Sequence, residues 1–371
     1  MSVENEVTTA SAPPTVRKTR SETLSRIRRI WPWVFLVVMV TIFTVASKVI
    51  NNVDFISYRS VQGILVYATT ILLIGLAETM VMLTGGIDMS VHYTLGLAAV
   101  VAAFIMRAMF AANMPPLLTI LVGFAGGILV TIIPGWVNGR LVSRVKVTSF
   151  IATLGVGYAV FGVALLISEG IAIARQPTYL GAIGNGNLLY YWPRHGFRFL
   201  QLPVGATNAD LGVIIPLVPN VVFITILVTI VIWFILSKTQ FGQHIYAIGG
   251  NMQAAIRAGI PVESTMTRVY ILSALMGGIA GVLWASRFSS GDANAGFTSL
   301  LFSIAAVVIG GTSMFGGEGT VIGTVVGALI IATIQYGLVV LGMPAFWQYV
   351  AVGVVVVIAV VVDQFGRNLD R

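Results

Sequence analysis

The sequence contains no cysteine, little charge and little histidine. Of its 371 residues, three are histidine and only 9% are Asp, Glu, Lys or Arg. The absence of cysteine excludes disulfide bonds and thiol chemistry, and the three histidines lack the spacing of a metal site. No Gly-Lys pair occurs in the chain, so the phosphate-binding loop G-x-x-x-x-G-K-[ST] is missing. Energy for any active process must therefore come from elsewhere.

Hydrophobic residues, in contrast, make up 57% of the chain. Several apolar runs are about twenty residues long, which is enough to cross a bilayer core as a helix. We therefore predict an all-α polytopic membrane protein with about ten transmembrane helices, in a domain covering residues 30–363. The predicted spans are 30–50, 61–83, 91–110, 117–139, 149–167, 211–236, 270–287, 299–309, 321–341 and 346–362. The eighth is too short to cross alone, which indicates a broken or re-entrant segment.

Two polar, glycine-rich breaks interrupt the apolar runs, at residues 84–90 and 309–320. When the glycine pair at 85–86 is aligned with the pair at 316–317, an offset of 231 residues places apolar spans on apolar spans. We therefore predict two pseudo-repeated halves with broken helices. Breaks at corresponding places in two halves indicate the binding site of a transporter, although glycine pairs also occur where helices simply pack closely.

Polar and glycine residues in and beside these breaks form the candidate substrate path. A carboxylate at membrane depth costs about 3 kcal/mol, so Asp88 either hydrogen-bonds a polyol hydroxyl or caps the third span, and we favour capping. Glu78 is expected to pair with Arg107 or to line a cavity. The hydroxyl side chains either line the path or form hydrogen bonds to the backbone. The candidate path residues are Thr84, Gly85, Gly86, Asp88, Ser90, Thr153, Gly310, Gly311, Thr312 and Ser313.

Basic residues are distributed unequally between the two predicted sides of the membrane. With the amino terminus inside, 14 of the 21 Lys and Arg residues lie in cytoplasmic segments, which predicts that both termini are cytoplasmic. Residues 1–29 are predicted to be a disordered, basic cytoplasmic tail, and 364–371 a second tail. The loop 168–210 would then be external. It is expected either to receive a partner or to cap the membrane interface with its Tyr and Trp residues.

The cytoplasmic loop 237–267 contains a short predicted helix. Asn251 is a good N-cap, residues 252–258 favour helix, and Gly259 ends it. So short a helix is marginal by itself, and an apolar knob of this kind suits insertion into a groove on a soluble subunit. An ordinary interfacial helix is the alternative. The candidate residues for contact with a partner are Tyr246, Asn251, Gln253, Ala254, Ala255, Arg257, Gly259 and Ile260.

Three ordered motifs carry a resemblance to a family: TGGIDMSV at 84–91, YAIGGN at 246–251 with AA at 254–255 and GI at 259–260, and AAVVIGGTS at 305–313. Together they resemble ribose, xylose and galactose-type permeases, the membrane subunits of bacterial ATP-binding-cassette importers of the second carbohydrate uptake family. The resemblance covers roughly residues 61–363. This chain differs from the family pattern at Glu78, at Gln253, at Ile256 and at residues 300–302.

The resemblance implies a transport subunit of the bacterial inner membrane rather than an enzyme. Its partners would be a second permease copy or paralogue, two cytoplasmic ATPase subunits or one tandem ATPase chain, and a periplasmic substrate-binding protein. The helix after Asn251 would be the coupling helix, and Mg-ATP would bind only to the partner subunits, so that this chain holds no cofactor. Two rival hypotheses remain: a secondary transporter with Asp88 and Glu78 as proton or cation sites, and a cassette permease for a solute other than a sugar.

Overall fold

The computed structural model describes residues 16–193, 195–199, 214–355 and 357, with side chains from residue 30 onward. Within these residues, eight spans are long and apolar enough to cross a membrane, one of them made of two consecutive helices, and two shorter apolar helices accompany them. The chain is therefore a polytopic helical membrane protein, as the composition predicts. The first 15 residues, the end of the tenth predicted span and the predicted tail 364–371 lie outside the described residues.

Helices account for most of the described chain, since backbone N–H and C=O groups in a bilayer must be satisfied within the segment itself. The helices are α1 Val16–Asn51, α2 Tyr58–Leu83, α3 Val91–Ala111, α4 Pro116–Leu129, α5 Ile132–Ser143, α6 Ser149–Ser168, α7 Thr178–Asn185, α8 Asn220–Lys238, α9 Gln240–Gly250, α10 Met252–Arg257, α11 Val262–Phe288, α12 Ser299–Ile309, α13 Val321–Val340 and α14 Phe346–Val355.

The first helix is longer than its apolar run. Helix α1 begins at Val16, so residues 16–29 of the segment predicted to be disordered are helical. Lys, Arg, Glu and Leu in this stretch are good helix formers. They extend a helix that the apolar span has already nucleated, and each added residue then contributes one further hydrogen bond.

Two other predicted helix starts are also corrected. Helix α8 begins at Asn220, not at residue 211, because the prolines of strand β3, Ile215–Pro219, favour extended backbone. Helix α11 begins at Val262, eight residues before the predicted start, because its first two turns are polar and hydropathy detects only the apolar part. The predicted loop 237–267 is therefore mostly helical.

The fourth predicted span consists of two helices. Helices α4 and α5 are separated at Val130 and Thr131, and α5 continues to Ser143, four residues beyond the predicted end. Pro134 lies in the first turn of α5, where a missing N–H costs little. The two helices together still form one candidate membrane span.

The eighth predicted span, 299–309, is the single helix α12, and a non-helical stretch precedes it. Residues 289–298 are not helical, and they lie along α3, where Gly291 contacts Ala103 and Gly296 contacts the backbone of His92. Those two contacts are eleven residues apart on α3, a rise of about 16 Å. The 11-residue helix α12 follows this stretch. The predicted broken or re-entrant segment is thus an irregular stretch, packed against α3 at Gly291 and Gly296, followed by a short helix.

The helices that follow the two breaks begin at nearly the predicted offset, whereas the predicted pseudo-repeat itself stays a prediction. Helices α3 and α13 begin at Val91 and Val321, 230 positions apart, within one residue of the offset of 231. The helices that precede the breaks end at Leu83 and Ile309, only 226 positions apart. The second break is therefore longer than the first.

The all-α prediction misses a small antiparallel sheet. Two of its strands lie in the predicted external loop, and the third lies in the first part of the predicted sixth span. Strands β1 Asn187–Trp192, β2 Gly196–Phe199 and β3 Ile215–Pro219 lie in the order β2-β1-β3. Alternating aromatic residues suit a pleated surface, and Tyr190 and Trp192 are buried in it. Together with α7, the sheet covers one end of the helix bundle.

Candidate functional site

The first break folds back from the end of α2. Gly85 has φ +81°, a left-handed conformation that glycine adopts without strain. The N–H groups of Gly85 and Gly86 donate to the carbonyls of Met82 (2.8 Å) and Val81 (3.2 Å), which closes the helix end. The chain then returns alongside α2.

Asp88 lies at the end of this return, 1% exposed, and both of its carboxylate oxygens accept hydrogen bonds from protein groups. Oδ1 accepts from the N–H (2.9 Å) and Oγ (2.6 Å) of Ser90, and Oδ2 accepts from Oγ of Ser273 in α11 (2.6 Å). Asn138 of α5 in turn donates to Oγ of Ser90 (2.7 Å). The first break and α11 thus meet at one buried carboxylate, and α5 joins them through Ser90.

The predicted capping role of Asp88 is wrong. The N-cap residue of α3 is Ser90, and its side chain makes no capping bond. Asp88 instead accepts from the N–H two residues ahead, the local turn that Asp side chains commonly form. Because this turn lies before the helix, the carboxylate organises the break and does not cap the start of α3.

Two hydroxyl groups in the first turns of α6 accept from further N–H groups of the break. Oγ of Ser149 accepts from the N–H of Ile87 (3.1 Å), and Oγ1 of Thr153 accepts from the N–H of Met89 (2.9 Å). An unpaired buried N–H is costly, so these two hydroxyls stabilise the irregular backbone. The geometry places Thr153 beside the first break, in contact with its backbone.

Glu78 is fully buried on α2, beside Asp88. Its Oε2 accepts from the N–H of Asp88 (3.3 Å), whereas Oε1 has no hydrogen-bond partner among the described residues. Arg107 is exposed, and among the described side chains it forms no ion pair with Glu78. The predicted Glu78–Arg107 pair is therefore absent, and the carboxyl group instead faces the first break.

The second break is a longer loop after α12. Gly311 has φ +88°, the N–H of Ser313 donates to the carbonyl of Glu318 (2.8 Å), and Oγ of Ser313 accepts from the N–H of Phe315 (3.1 Å). Gly310 serves close packing, since a Cβ there would collide with the backbone of Gly323 in α13.

The structure brings the predicted path residues together as two groups. The first group surrounds the first break and comprises Thr84, Gly85, Gly86, Asp88, Ser90 and Thr153; the second comprises Gly310, Gly311, Thr312 and Ser313 of the second break. The two breaks touch where Gly85 lies beside Gly316, and the N–H of Gly317 donates to the carbonyl of Leu83 (3.0 Å). That these ten residues line a substrate path stays a prediction.

A third glycine segment joins the same contact. Gly249, at the end of α9, lies so close to the first break that a Cβ there would collide with the carbonyl oxygen of Leu83. The same Cβ would lie 2.5 Å from the nitrogen of Gly317. The segment before α10 and both breaks therefore meet backbone to backbone.

Tyr246, three residues earlier, bonds the second break. Its hydroxyl donates to the carbonyl of Gly319 (2.9 Å). Burial raises the pKa of Tyr246 above its ordinary value of 10, because the charged phenolate loses hydration in a buried position. The hydroxyl therefore stays protonated, and remains a donor, throughout the physiological pH range.

Helix α10 forms as the sequence predicts. Oδ1 of Asn251 accepts from the N–H of Ala254 (2.9 Å), and Gly259 adopts φ +78° after the last turn, as expected for a helix end. Ala255 is buried (3% exposed) against the bundle, whereas Ile256 is 50% exposed. The helix thus attaches to the bundle by one side and presents an apolar residue on the other.

The remaining residues of the predicted contact set divide between surface and bundle. Gln253, Ala254 and Arg257 are exposed on α10, and Ile260 is partly buried behind it. The set therefore lies on one short helix and its flanks. Arg257 supplies a positive charge in the last turn, where a cation is stabilised by the helix dipole.

Sequence reasoning missed three residues of the site. Ser273 and Asn138 contact Asp88 and Ser90 from distant positions, and nothing local marks them among other polar residues of apolar helices. Gly249 was within the motif YAIGGN at 246–251. The glycine pair at 249–250, which lies outside the long apolar runs as the pairs of the two breaks do, was the signal that could have identified it.

A model of one protein family matches residues 60–360, and it is described as the branched-chain amino acid transport system / permease component. The match covers most of the chain. The chain belongs to this family. No solved structure matches it significantly.

Curated relatives in this family resemble the chain over nearly its whole length. The L-arabinose transporter permease protein of Azospirillum brasilense is 32% identical over 90% of this chain and 88% of its own. The ribose import permease protein of Bacillus subtilis is 33% identical over 91% and 93%, respectively. The galactose/methyl galactoside import permease protein of Escherichia coli is 32% identical over 88% and 92%. The chain is thus a permease component, as its three motifs predict.

Proposed function

We propose that this chain is the membrane-spanning subunit of a bacterial ATP-driven importer that carries a sugar or a sugar-like polyol. The observation that carries the proposal is similarity, over about nine-tenths of each chain, to permease proteins named for arabinose, ribose and galactose. The family description names branched-chain amino acids, so an amino-acid cargo is the alternative within the same architecture.

The ATPase is proposed to dock on α10. Met252 and Ile256 are 37% and 50% exposed at the end of the bundle, and apolar anchors at helical spacing suit a groove on another protein. Mg-ATP would bind to two such subunits or to one tandem chain, and the permease itself would hold no cofactor. A second copy or a paralogue of this chain would complete the membrane domain.

The side with α10 is proposed to be cytoplasmic, together with both termini, in the bacterial inner membrane. The excess of basic residues on that side supports this orientation. The small sheet β1–β3 at the opposite end would then face the periplasm, where a loaded binding protein would dock. Because that protein selects the cargo and the conformational cycle provides direction, the permease needs only weak affinity for it.

Because two carboxyl groups are buried in the bundle, a secondary transporter is the second candidate function. Glu78 and Asp88 are adjacent and fully enclosed, a pattern also found in proton and cation sites. However, Oδ1 and Oδ2 of Asp88 already accept protein donors, and the family consists of permease components. Both points favour the ATP-driven importer.

Reconstitution tests the proposal. The permease, its ATPase and its binding protein would be placed in proteoliposomes with ATP inside or outside, and uptake of L-arabinose, D-ribose and D-galactose would be measured. We expect uptake of at least one sugar only when ATP reaches the ATPase. Uptake without the ATPase would overturn the importer and favour the secondary transporter.

A matched pair of variants tests the docking helix. Ile256→Glu places a charge on the exposed side of α10 and should release the ATPase during co-purification, whereas Ile256→Val keeps an apolar residue and should retain it. Membrane insertion should be equal for both variants, because the side chain is half exposed. Retention of the ATPase by Ile256→Glu would place the docking surface elsewhere.

A further inference from the structure

We propose that Gly249 is a positioning residue that transmits movement of α10 to both glycine breaks at once. This inference rests on the proposed function, since it requires an ATPase that acts on α10. It adds to the docking helix a defined point of contact with the interior of the bundle.

The contact consists of main-chain atoms from three segments. A Cβ on Gly249 would collide with the carbonyl of Leu83, the last residue of α2, and would lie 2.5 Å from the nitrogen of Gly317. A Cβ on Gly316 would lie 2.9 Å from both the carbonyl oxygen of Gly249 and the nitrogen of Gly85. The last turn of α9 is therefore seated between the first and second breaks.

A contact of this kind transmits movement because it contains no side chain that could change its rotamer. Side chains accommodate small displacements by changing rotamer, but backbone packed against backbone has no such freedom. Close-packed interiors transmit strain for the same reason. A shift of Gly249 must therefore move the carbonyl of Leu83 and the loop at Gly317, or separate from them.

The link from α10 to Gly249 is also short and bonded. Only Gly250 and Asn251 lie between Gly249 and the start of α10, and the N–H of Asn251 donates to the carbonyl of Ala247 in α9 (3.0 Å). The side chain of the same Asn251 caps α10. Both helices are thus anchored on one residue, so that a pull on α10 acts directly on the end of α9.

Tyr246 provides a second connection to the second break. Its hydroxyl bond to the carbonyl of Gly319 lies one helical turn before Gly249. The second break is therefore held at two points by α9, through Gly317 and through Gly319, whereas the first break is held at Leu83.

The decisive experiment compares two adjacent glycines. Gly249→Ala adds a methyl group into the contact, whereas the methyl group of Gly250→Ala meets nothing within 4 Å. Both substitutions replace glycine by alanine at neighbouring positions at the end of α9. They differ in whether the added methyl group meets Leu83 and Gly317. The complete importer would be reconstituted, and uptake of whichever of L-arabinose, D-ribose or D-galactose the wild type transports would be measured beside ATP hydrolysis.

We expect Gly249→Ala to lower uptake roughly tenfold or more, the effect of a bias of about 1.4 kcal/mol on a two-state equilibrium. Its ATPase should remain bound and should continue to hydrolyse ATP, so that the two activities become uncoupled. Gly250→Ala should keep uptake within about twofold of wild type, as for substitutions that make no new contact.

The outcomes separate this inference from the proposed function. ATP-dependent uptake by the wild type, with normal uptake by Gly249→Ala, would overturn the inference alone. No ATP-dependent uptake by the wild type would overturn both. If Gly249→Ala fails to insert, the test uses Tyr246→Phe, which adds no atom and removes only the hydrogen bond to the carbonyl of Gly319. Lower uptake per ATP hydrolysed by this variant would support the inference. An unchanged ratio of uptake to ATP hydrolysis would overturn it.

Discussion

The backbone N–H of Asp88 donates a hydrogen bond to Oε2 of Glu78 over 3.3 Å, although the two residues lie ten positions apart on either side of a helix end. Both side chains are buried. Among the described residues, neither forms an ion pair with a cation. The hydrogen bonds that the carboxyl oxygens of Glu78 and Asp88 accept are therefore what stabilises these two buried groups.

This relationship predicts the behaviour of two Glu78 variants. Glu78→Gln keeps an oxygen that accepts from the N–H of Asp88 and removes a possible charge, so we expect unchanged uptake and an equal or higher unfolding temperature. Glu78→Leu leaves that N–H unpaired and should lower stability by about 1–3 kcal/mol. Thermal unfolding in detergent and uptake in proteoliposomes measure the two effects. A well-folded but inactive Glu78→Gln would instead indicate a proton or cation site.

Substitutions of Asp88 should follow the hydrogen bonds of its side chain. In Asp88→Asn, Oδ1 still accepts from Ser90, and the amide group can donate to Oγ of Ser273 once that hydroxyl rotates. We expect most of the uptake to remain, with little change between pH 6 and pH 8. Asp88→Ala leaves buried donors of Ser90 and Ser273 without partners and should cost about 1–3 kcal/mol.

The measurement for Asp88 is uptake into proteoliposomes with ATP supplied, together with thermal unfolding of each variant. An Asn variant that inserts stably but transports nothing would contradict both the hydrogen-bonding role and import without ion coupling at this residue.

Glycine contacts between α12 and α13 should be sensitive to added volume. A Cβ on Gly327 would collide with the carbonyl of Ala306, so Gly327→Ala should separate the two helices and cost about 1–3 kcal/mol. Gly162 of α6 is the control, because a Cβ there meets nothing within 4 Å, and Gly162→Ala should be neutral or stabilising by up to about 1 kcal/mol. Equal unfolding temperatures for the two variants would contradict this packing.

The cap of α10 should matter more for docking than for insertion. Asn251→Ala removes the acceptor for the N–H of Ala254 and should destabilise the helix by about 1 kcal/mol, whereas Asn251→Asp keeps the acceptor. We therefore expect the Ala variant to retain less ATPase in co-purification than the Asp variant, with equal amounts of both in the membrane. Equal retention would show that the ATPase does not need α10 to be ordered beforehand.

Local features of the sequence were sufficient for the main architecture. Apolar runs predicted the membrane spans, because crossing a bilayer requires about twenty apolar residues in succession. The breaks were visible because glycines and a carboxylate stand out in such runs. Helix α10 was predicted because Asn251 and Gly259 act on their immediate neighbours. The polar first turns of α11, in contrast, were missed because hydropathy does not report a helix that extends beyond the membrane.

The sequence by itself thus determined a polytopic helical permease with two glycine breaks and a capped surface helix. Only the tertiary structure decided that Ser273 bonds Asp88, 185 residues away, and that Gly249 lies against both Leu83 and Gly317. The reason is physical: spans and caps depend on neighbours within a few residues, whereas these contacts depend on how complete helices pack. A glycine has the same local preferences whether its Cα faces lipid or another backbone.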